Sequence, residues 1–99
     1  MKYRIEYSPD VENHLRALTA RQQSVVLDTI DRQLRDQPTT ETRNRKPMRP
    51  NPIAPWELRI GNLRVYYDVE VKPTRVVLIR AVGIKERNHL RIAKEVITI

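Results

Sequence analysis

The chain of 99 residues contains no cysteine and only two glycines. Without cysteine it has neither a disulfide framework nor a thiolate metal site. With two glycines it cannot build the glycine-rich loop that cradles phosphates. A serine-hydrolase elbow is also missing. His14 and His89 stand far apart, and no acidic pair flanks either at ligand spacing, so no metal constellation is readable. No apolar run approaches the roughly 20 residues of a membrane-spanning helix. The first residues, Met-Lys-Tyr-Arg-Ile-Glu-Tyr, lack the apolar core of a signal peptide. These absences predict a cytoplasmic protein that uses no membrane, metal or cofactor. The length suits a single domain, residues 1–99, with one modest core.

Positive charge is plentiful. The formal net charge is +7, and it is unevenly spread. Residues 1–42 hold six Lys/Arg against seven Asp/Glu, whereas residues 43–99 hold thirteen against five. A basic half on a small domain is the electrostatic footprint of a polyanion binder, although an acidic protein partner explains it equally well.

The most informative stretch is Trp56 to Asp68. It reads as two strands joined by a Gly61-Asn62 turn, because both residues tolerate the positive φ of tight hairpins. This register sets Arg59 opposite Arg64 and Glu57 opposite Tyr66. One face is then apolar (Trp56, Leu58, Ile60, Leu63, Val65, Tyr67), and the other holds Glu57, Arg59, Arg64 and Tyr66. Like charges directly opposite one another destabilise a sheet, so the paired arginines suggest a partner that supplies negative charge.

Upstream, Tyr3, Ile5 and Tyr7 alternate with polar residues and predict a strand. Ser8-Pro9 resembles a helix start, with Ser8 as N-cap. Val11, His14, Leu15 and Leu18 share a helical stripe on which His14 reads as a packing residue. Thr19-Ala20-Arg21-Gln22 fits a capping box. It opens a second helix that ends near Asp36, its buried face formed by Val26, Leu27, Ile30 and Leu34. Residues 37–55 hold five of the seven prolines together with Arg43, Arg45, Lys46 and Arg49, so a basic loop without regular structure is expected. Residues 75–83 are apolar with little alternation, as in a central strand ended by Gly83, with Arg80 turned to the polar face. Ile84 to Arg91 form a last polar cluster, and residues 95–99 have the composition of a short terminal strand.

The chemistry open to these residues is that of a cationic face: Arg59, Arg64, Arg80, Lys85, Arg87 and Arg91, with His89, Glu57 and Tyr66 nearby. Such a set can bind phosphates. It can also cleave RNA without metal, given a base for the 2′-hydroxyl, cations for the phosphorane and an acid for the 5′-oxygen. Like charges lower the pKa of a lysine, which makes Lys85, two residues from Arg87 and expected near Arg80, the candidate base.

The order of strand, helical hairpin, basic loop, the hairpin with Leu63-Arg64-Val65-Tyr66-Tyr67, and then Val82-Gly83-Ile84-Lys85-Glu86-Arg87 resembles the RelE/ParE superfamily. These are the toxins of bacterial type II toxin–antitoxin modules. The resemblance spans nearly the whole chain. It implies an α+β fold: an N-terminal strand, a helical hairpin, then a three- to four-stranded antiparallel sheet. It implies a cognate antitoxin as partner, and operator DNA only through that antitoxin. The RelE branch cleaves mRNA in the ribosomal A site and the ParE branch inhibits DNA gyrase. A RelE-like reading gives Arg59, Arg64, Lys85, Arg87 and His89 as the catalytic set. Arg43, Arg45, Lys46, Arg49, Tyr66, Arg80 and Arg91 would contact RNA, Tyr66 by stacking on a base. Glu57 stands where relatives can carry lysine. Arg91 replaces a tyrosine expected near the C-terminus, a role His89 would fill.

The patterning yields a stability prediction. Truncating Trp56, Leu58, Val77 or Ile79 to alanine should cost about 2–5 kcal/mol in urea unfolding. By the same reading, Arg59→Ala and Arg64→Ala should cost little, since each removes one of two opposed charges.

Overall fold

The computed structural model describes residues 2–97. In chain order these form β1 (Arg4–Tyr7), α1 (Val11–Arg16), α2 (Ala20–Leu34), β2 (Arg45–Pro47), β3 (Trp56–Ile60), β4 (Leu63–Glu70), β5 (Val76–Glu86), β6 (His89–Ile92) and β7 (Glu95–Ile97). The fold is α+β. The strands make one sheet in the order β2-β3-β4-β5-β6-β7, each neighbour antiparallel, and β1 joins in parallel beside β5. The sheet is wider than the three to four strands expected. β2 and β6 arise from stretches read as loop and polar tail, and the N-terminal strand belongs to the same sheet. Of the expected terminal strand, residues 98 and 99 lie outside the described residues.

The β3–β4 hairpin has the register read from its turn, with Ile60 opposite Leu63, Arg59 opposite Arg64 and Glu57 opposite Tyr66. Gly61 alone takes the positive φ, at 58°, as the first central residue of a type II′ turn requires. Leu58, Leu63, Val65 and Tyr67 face the helices and join Val26, Ile30 and Leu34 of α2 in the main core. Trp56 stacks on Tyr67 at 6.2 Å between ring centroids. The Tyr67 hydroxyl donates to the Pro38 carbonyl at 2.6 Å, and this ties the sheet to the chain leaving α2. Truncations in this core both remove burial and leave cavities, which is why their cost is high.

The helices depart from expectation in two places. Thr19 and Gln22 form the reciprocal capping box, but Ser8 does not cap α1. Its N–H donates to the Ile79 carbonyl at 2.8 Å and its carbonyl accepts from Val11. The chain thus continues along the sheet before turning, and the helix begins only at Val11, with Asp10 as an N-cap lacking a side-chain bond. Leu27 sits at the edge of the α2 stripe and is 37 % exposed, whereas Val26, Ile30 and Leu34 are fully covered.

β5 is eleven residues long and runs through Gly83 to Glu86, past its expected end. Gly83 is needed for another reason. A Cβ there would lie 2.6 Å from the Arg91 carbonyl oxygen and 2.9 Å from Ile92 Cγ1, so its bare backbone lets β6 approach. Opposite Tyr66 and Tyr67 the ladder shifts by one, pairing them with Ala81 and Ile79 and leaving Arg80 as the extra residue. A bulge reverses the alternation beyond it. Val77 and Ile79 before it and Val82 after it therefore all face the main core, while Ala81 joins a second cluster on the opposite face. One edge of β5 pairs with β1 up to Ile79 and with β6 from Ile84. In the gap, the Val82 N–H donates to His14 Nδ1 at 3.2 Å.

His14 is therefore a hydrogen-bond acceptor for the central strand as well as a packing residue. His14→Ala leaves that amide without a partner and should cost about 1–3 kcal/mol. Burial pulls the His14 pKa down, Asp10 partly opposing. The unfolded chain therefore binds the proton more readily. The stability His14 supplies is complete above its ordinary pKa of about 6.5 and is lost as pH falls through the lowered folded value. Urea unfolding at neutral pH and near pH 5 should show a smaller decline for His14→Ala than for the wild type.

Candidate functional site

The face of the sheet turned away from the helices holds the polar side of the hairpin. Register sets Lys46, Glu57, Tyr66 and Ala81 in one row across β2, β3, β4 and β5, and Arg59, Arg64 and Gly83 in the next. The proline-rich loop folds over this face. Its ends are pinned by Met48 N–H donating to the Pro55 carbonyl at 2.8 Å. Its turn is built by Asn51, whose Oδ1 accepts from the N–H groups of Ile53 and Ala54 at 2.8 and 3.1 Å, and whose Nδ2 donates to the carbonyls of Arg49 and Ala54 at 2.7 and 3.1 Å. This is the local bonding that makes asparagine a turn residue. Met48, Ile53 and Ala54 then pack on Tyr66, Ala81, Leu90 and Ile92, the second apolar cluster.

Between this loop, the hairpin and the β5–β6 turn lies a cleft of about 560 Å³. Lys46, Arg49, Arg59 and Lys85 bring four cations to its walls, and Asn88, Glu57 and Tyr66 are also lining residues. Glu57 is the one buried charged residue among those described, 6 % exposed. Its Oε1 accepts from Arg59 Nε at 2.7 Å, and its Oε2 lies 3.9 Å from Arg64 Nε, a buried nitrogen with no hydrogen-bond partner. Burial, the Glu57 charge and a hydrogen bond to Glu57 hold the Tyr66 phenol well above the ordinary tyrosine range, with Arg64 and Arg59 opposing. Tyr66 therefore stays protonated beside the carboxylate.

This geometry corrects the reading of the paired arginines. Their negative charge comes from Glu57 within the hairpin itself. Removing either arginine exposes a buried carboxylate to loss of compensation, so Arg59→Ala and Arg64→Ala should not be neutral.

The expected site residues divide into groups. Arg59, Lys85, Lys46 and Arg49 meet in the cleft, with Tyr66 beneath them. Tyr66 is only 1 % exposed, and its ring is packed in the second cluster, so it offers no face on which a base could stack. Arg64 is folded back on the turn, its Nη1 donating to the Gly61 and Leu63 carbonyls at 2.7 and 2.9 Å. Arg87, with positive φ, occupies the exposed β5–β6 turn. His89 and Arg91 alternate onto the opposite face from Lys85 and Leu90, where Arg91 Nη2 pairs with Glu86 at 3.0 Å. Arg80 points away toward Asp68, 3.6 Å off, and does not crowd Lys85.

In the loop, Arg43 is exposed, Lys46 lies 3.5 Å from Glu41, and Arg45 is committed elsewhere. Arg45 Nη1 donates to the Gln33 carbonyl at 2.7 Å and its Nε to the Thr40 carbonyl at 3.1 Å. Gln33 belongs to the last turn of α2, whose carbonyls lack intrahelical partners and attract cations. Arg45 is thus a structural clamp. Sequence reasoning missed Asn51 and Asn88. The Pro50-Asn51-Pro52 run is a turn signal that identifies the first, and nothing local identifies the second.

Among the described residues no three His, Cys, Asp or Glu side chains converge as metal ligands, and no helix is long and apolar enough to cross a membrane. No family model matches the sequence, and no curated protein does. Among solved structures, the chain is similar to one in the toxin–antitoxin complex RelBE2 from Mycobacterium tuberculosis, with a TM-score of 0.72 and 22% identity over 86% of this chain and 100% of that one. The shared property is the fold, which is RelE-like.

The clamp role of Arg45 can be measured. Arg45→Ala should lower stability in urea unfolding by about 1–2 kcal/mol. Arg43→Ala should stay within about 0.5 kcal/mol of wild type.

Proposed function

We propose that this chain is the toxin of a type II toxin–antitoxin module and acts as a ribosome-dependent mRNA endonuclease whose chemistry is supplied by side chains. The observation that carries the reading is the convergence of Lys46, Arg49, Arg59 and Lys85 on one cleft from β2, the stiffened loop, β3 and β5. The likeness in fold to a chain of a toxin–antitoxin complex supports the module. Its partners are a cognate antitoxin and mRNA on the ribosome, in the cytoplasm, with operator DNA reached only through the antitoxin.

Within the cleft the roles follow position. Arg59 holds the scissile phosphate and stabilises charge as it builds, which is most effective where donors are fixed beforehand. Lys85 is the proton carrier that faces the cleft, whereas His89 lies across the sheet. Lys46 and Arg49 hold the strand through its phosphates. Arg64, locked to the turn and beside Glu57, adds background charge. Arg43 and Arg87 extend the positive surface outside the cleft.

A second reading is a ParE-like gyrase inhibitor, or a toxin homologue that only binds its antitoxin. The internal pairing of Glu57 with Arg59 favours it, because part of the catalytic charge is already neutralised. Primer extension on cellular mRNA after induction separates cut message from cleaved DNA complexes. On programmed ribosomes, Lys85→Ala should lower the single-turnover cleavage rate about a hundredfold or more, and His89→Ala should leave it nearly unchanged. Full toxicity in both Lys85→Ala and Arg59→Ala cells would sink the nuclease reading.

A further inference from the structure

Glu57 is the group that this reading of the cleft leaves unused, and it is unusual in its own right. Its side chain is 8 % exposed, yet it lines a cationic cleft. Arg59 donates to its carboxylate and Arg64 faces it, so it is already engaged. Its chemistry is better described by what it does to Arg59. The carboxylate takes the Nε–H of that guanidinium at 2.7 Å, and Arg59 makes no other side-chain hydrogen bond among the described residues. The two terminal nitrogens, which form the fork that grips a phosphate through paired bonds, are left uncommitted on a side chain 46 % exposed. Arg64 is in the opposite condition, with Nη1 spent on two backbone carbonyls.

We infer that Glu57 is the positioning residue of the cleft: it fixes Arg59 by the Nε edge so that the terminal fork is held ready for a phosphodiester of RNA. This rests on the reading of the cleft as an RNA site. Tyr66 and Arg64 serve the same end from the other side. The phenol lies beside the carboxylate and the guanidinium supplies a balancing charge, in a place where an unpaired carboxylate would be costly.

The positioning role and a bare counter-charge role predict opposite signs. On charge alone, removing Glu57 makes the cleft more positive, so RNA should bind more tightly and with a steeper salt dependence. On positioning, removal frees Arg59 to wander, and binding should weaken despite the gain in charge.

The experiment titrates a labelled, unstructured oligoribonucleotide into the full-length protein across a salt series, using wild type, Glu57→Gln, Glu57→Ala and Arg59→Lys. Positioning predicts affinity about tenfold weaker for Glu57→Ala and Arg59→Lys, with partial rescue in Glu57→Gln, which keeps an acceptor oxygen. It also predicts a slowly exchanging Arg59 Nε–H resonance in wild type that persists when RNA is added and is absent from Glu57→Ala. Should the Glu57 variants unfold, Arg59→Lys decides, because it retains the charge opposite Glu57 on a half-exposed side chain while losing the fork. Affinity equal to or tighter than wild type in the folded variants overturns the positioning role and leaves Glu57 a counter-charge. A wild type that shows no salt-dependent RNA binding overturns the reading of the cleft itself, and this inference with it.

Discussion

β5 is the strand on which the other elements depend. It gives one edge to β4 along its length and shares the other between β1 and β6. Over its eleven residues the alternation of β5 changes phase once. The bulge at Arg80 makes that change, keeping valines and isoleucine toward the helices on both sides of it. The gap between β1 and β6 leaves the Val82 amide exposed to loss of its partner, and His14 of α1 supplies the acceptor. The helical layer is thus joined to the sheet by a directional bond as well as by packing, and a buried N–H is kept satisfied where the ladder changes partner.

The basic half of the chain poses a second constraint. A net positive charge concentrated on one face of a small domain repels itself, and the protein answers with local compensation. Glu57 sits between Arg59 and Arg64, Glu41 near Lys46, Asp68 near Arg80, and Glu86 beside Arg91. These pairs are not equivalent. The exposed ones contribute little to stability. The Glu57 group is desolvated, so its arginines and its tyrosine are tied to one arrangement, and the order it imposes reaches the cleft wall. The loop that closes the cleft is ordered by the amide of Asn51 and by the packing of Met48, Ile53 and Ala54 in the second apolar cluster.

Much of this was legible from the residues alone. The Gly61-Asn62 turn determined the register of β3 and β4, because a two-residue hairpin leaves one pairing open, and that register divided the hairpin into a core face and a polar face. The capping box at Thr19, the α2 stripe, and the basic character of the second half followed from spacing and composition. Each of these depends on neighbours within a few residues or on a period, and local physics is enough to set them.

The tertiary structure alone decided which cations meet. Arg43, Arg45 and Lys46 are almost adjacent in sequence, yet the first is exposed, the second clamps a helix end and the third lines the cleft. Lys85 and His89 are close in sequence and lie on opposite faces, because a tight turn and strand alternation separate them. The Arg80 bulge, the late start of α1 and the passage of β5 through Gly83 each arise from contacts with segments distant in the chain. Glu57 shows the same division: its place opposite Tyr66 was set by the hairpin, but the cleft it lines is closed by β2, the proline loop and β5. A charge pattern in sequence counts the cations available; only the packed chain determines which of them are left unspent.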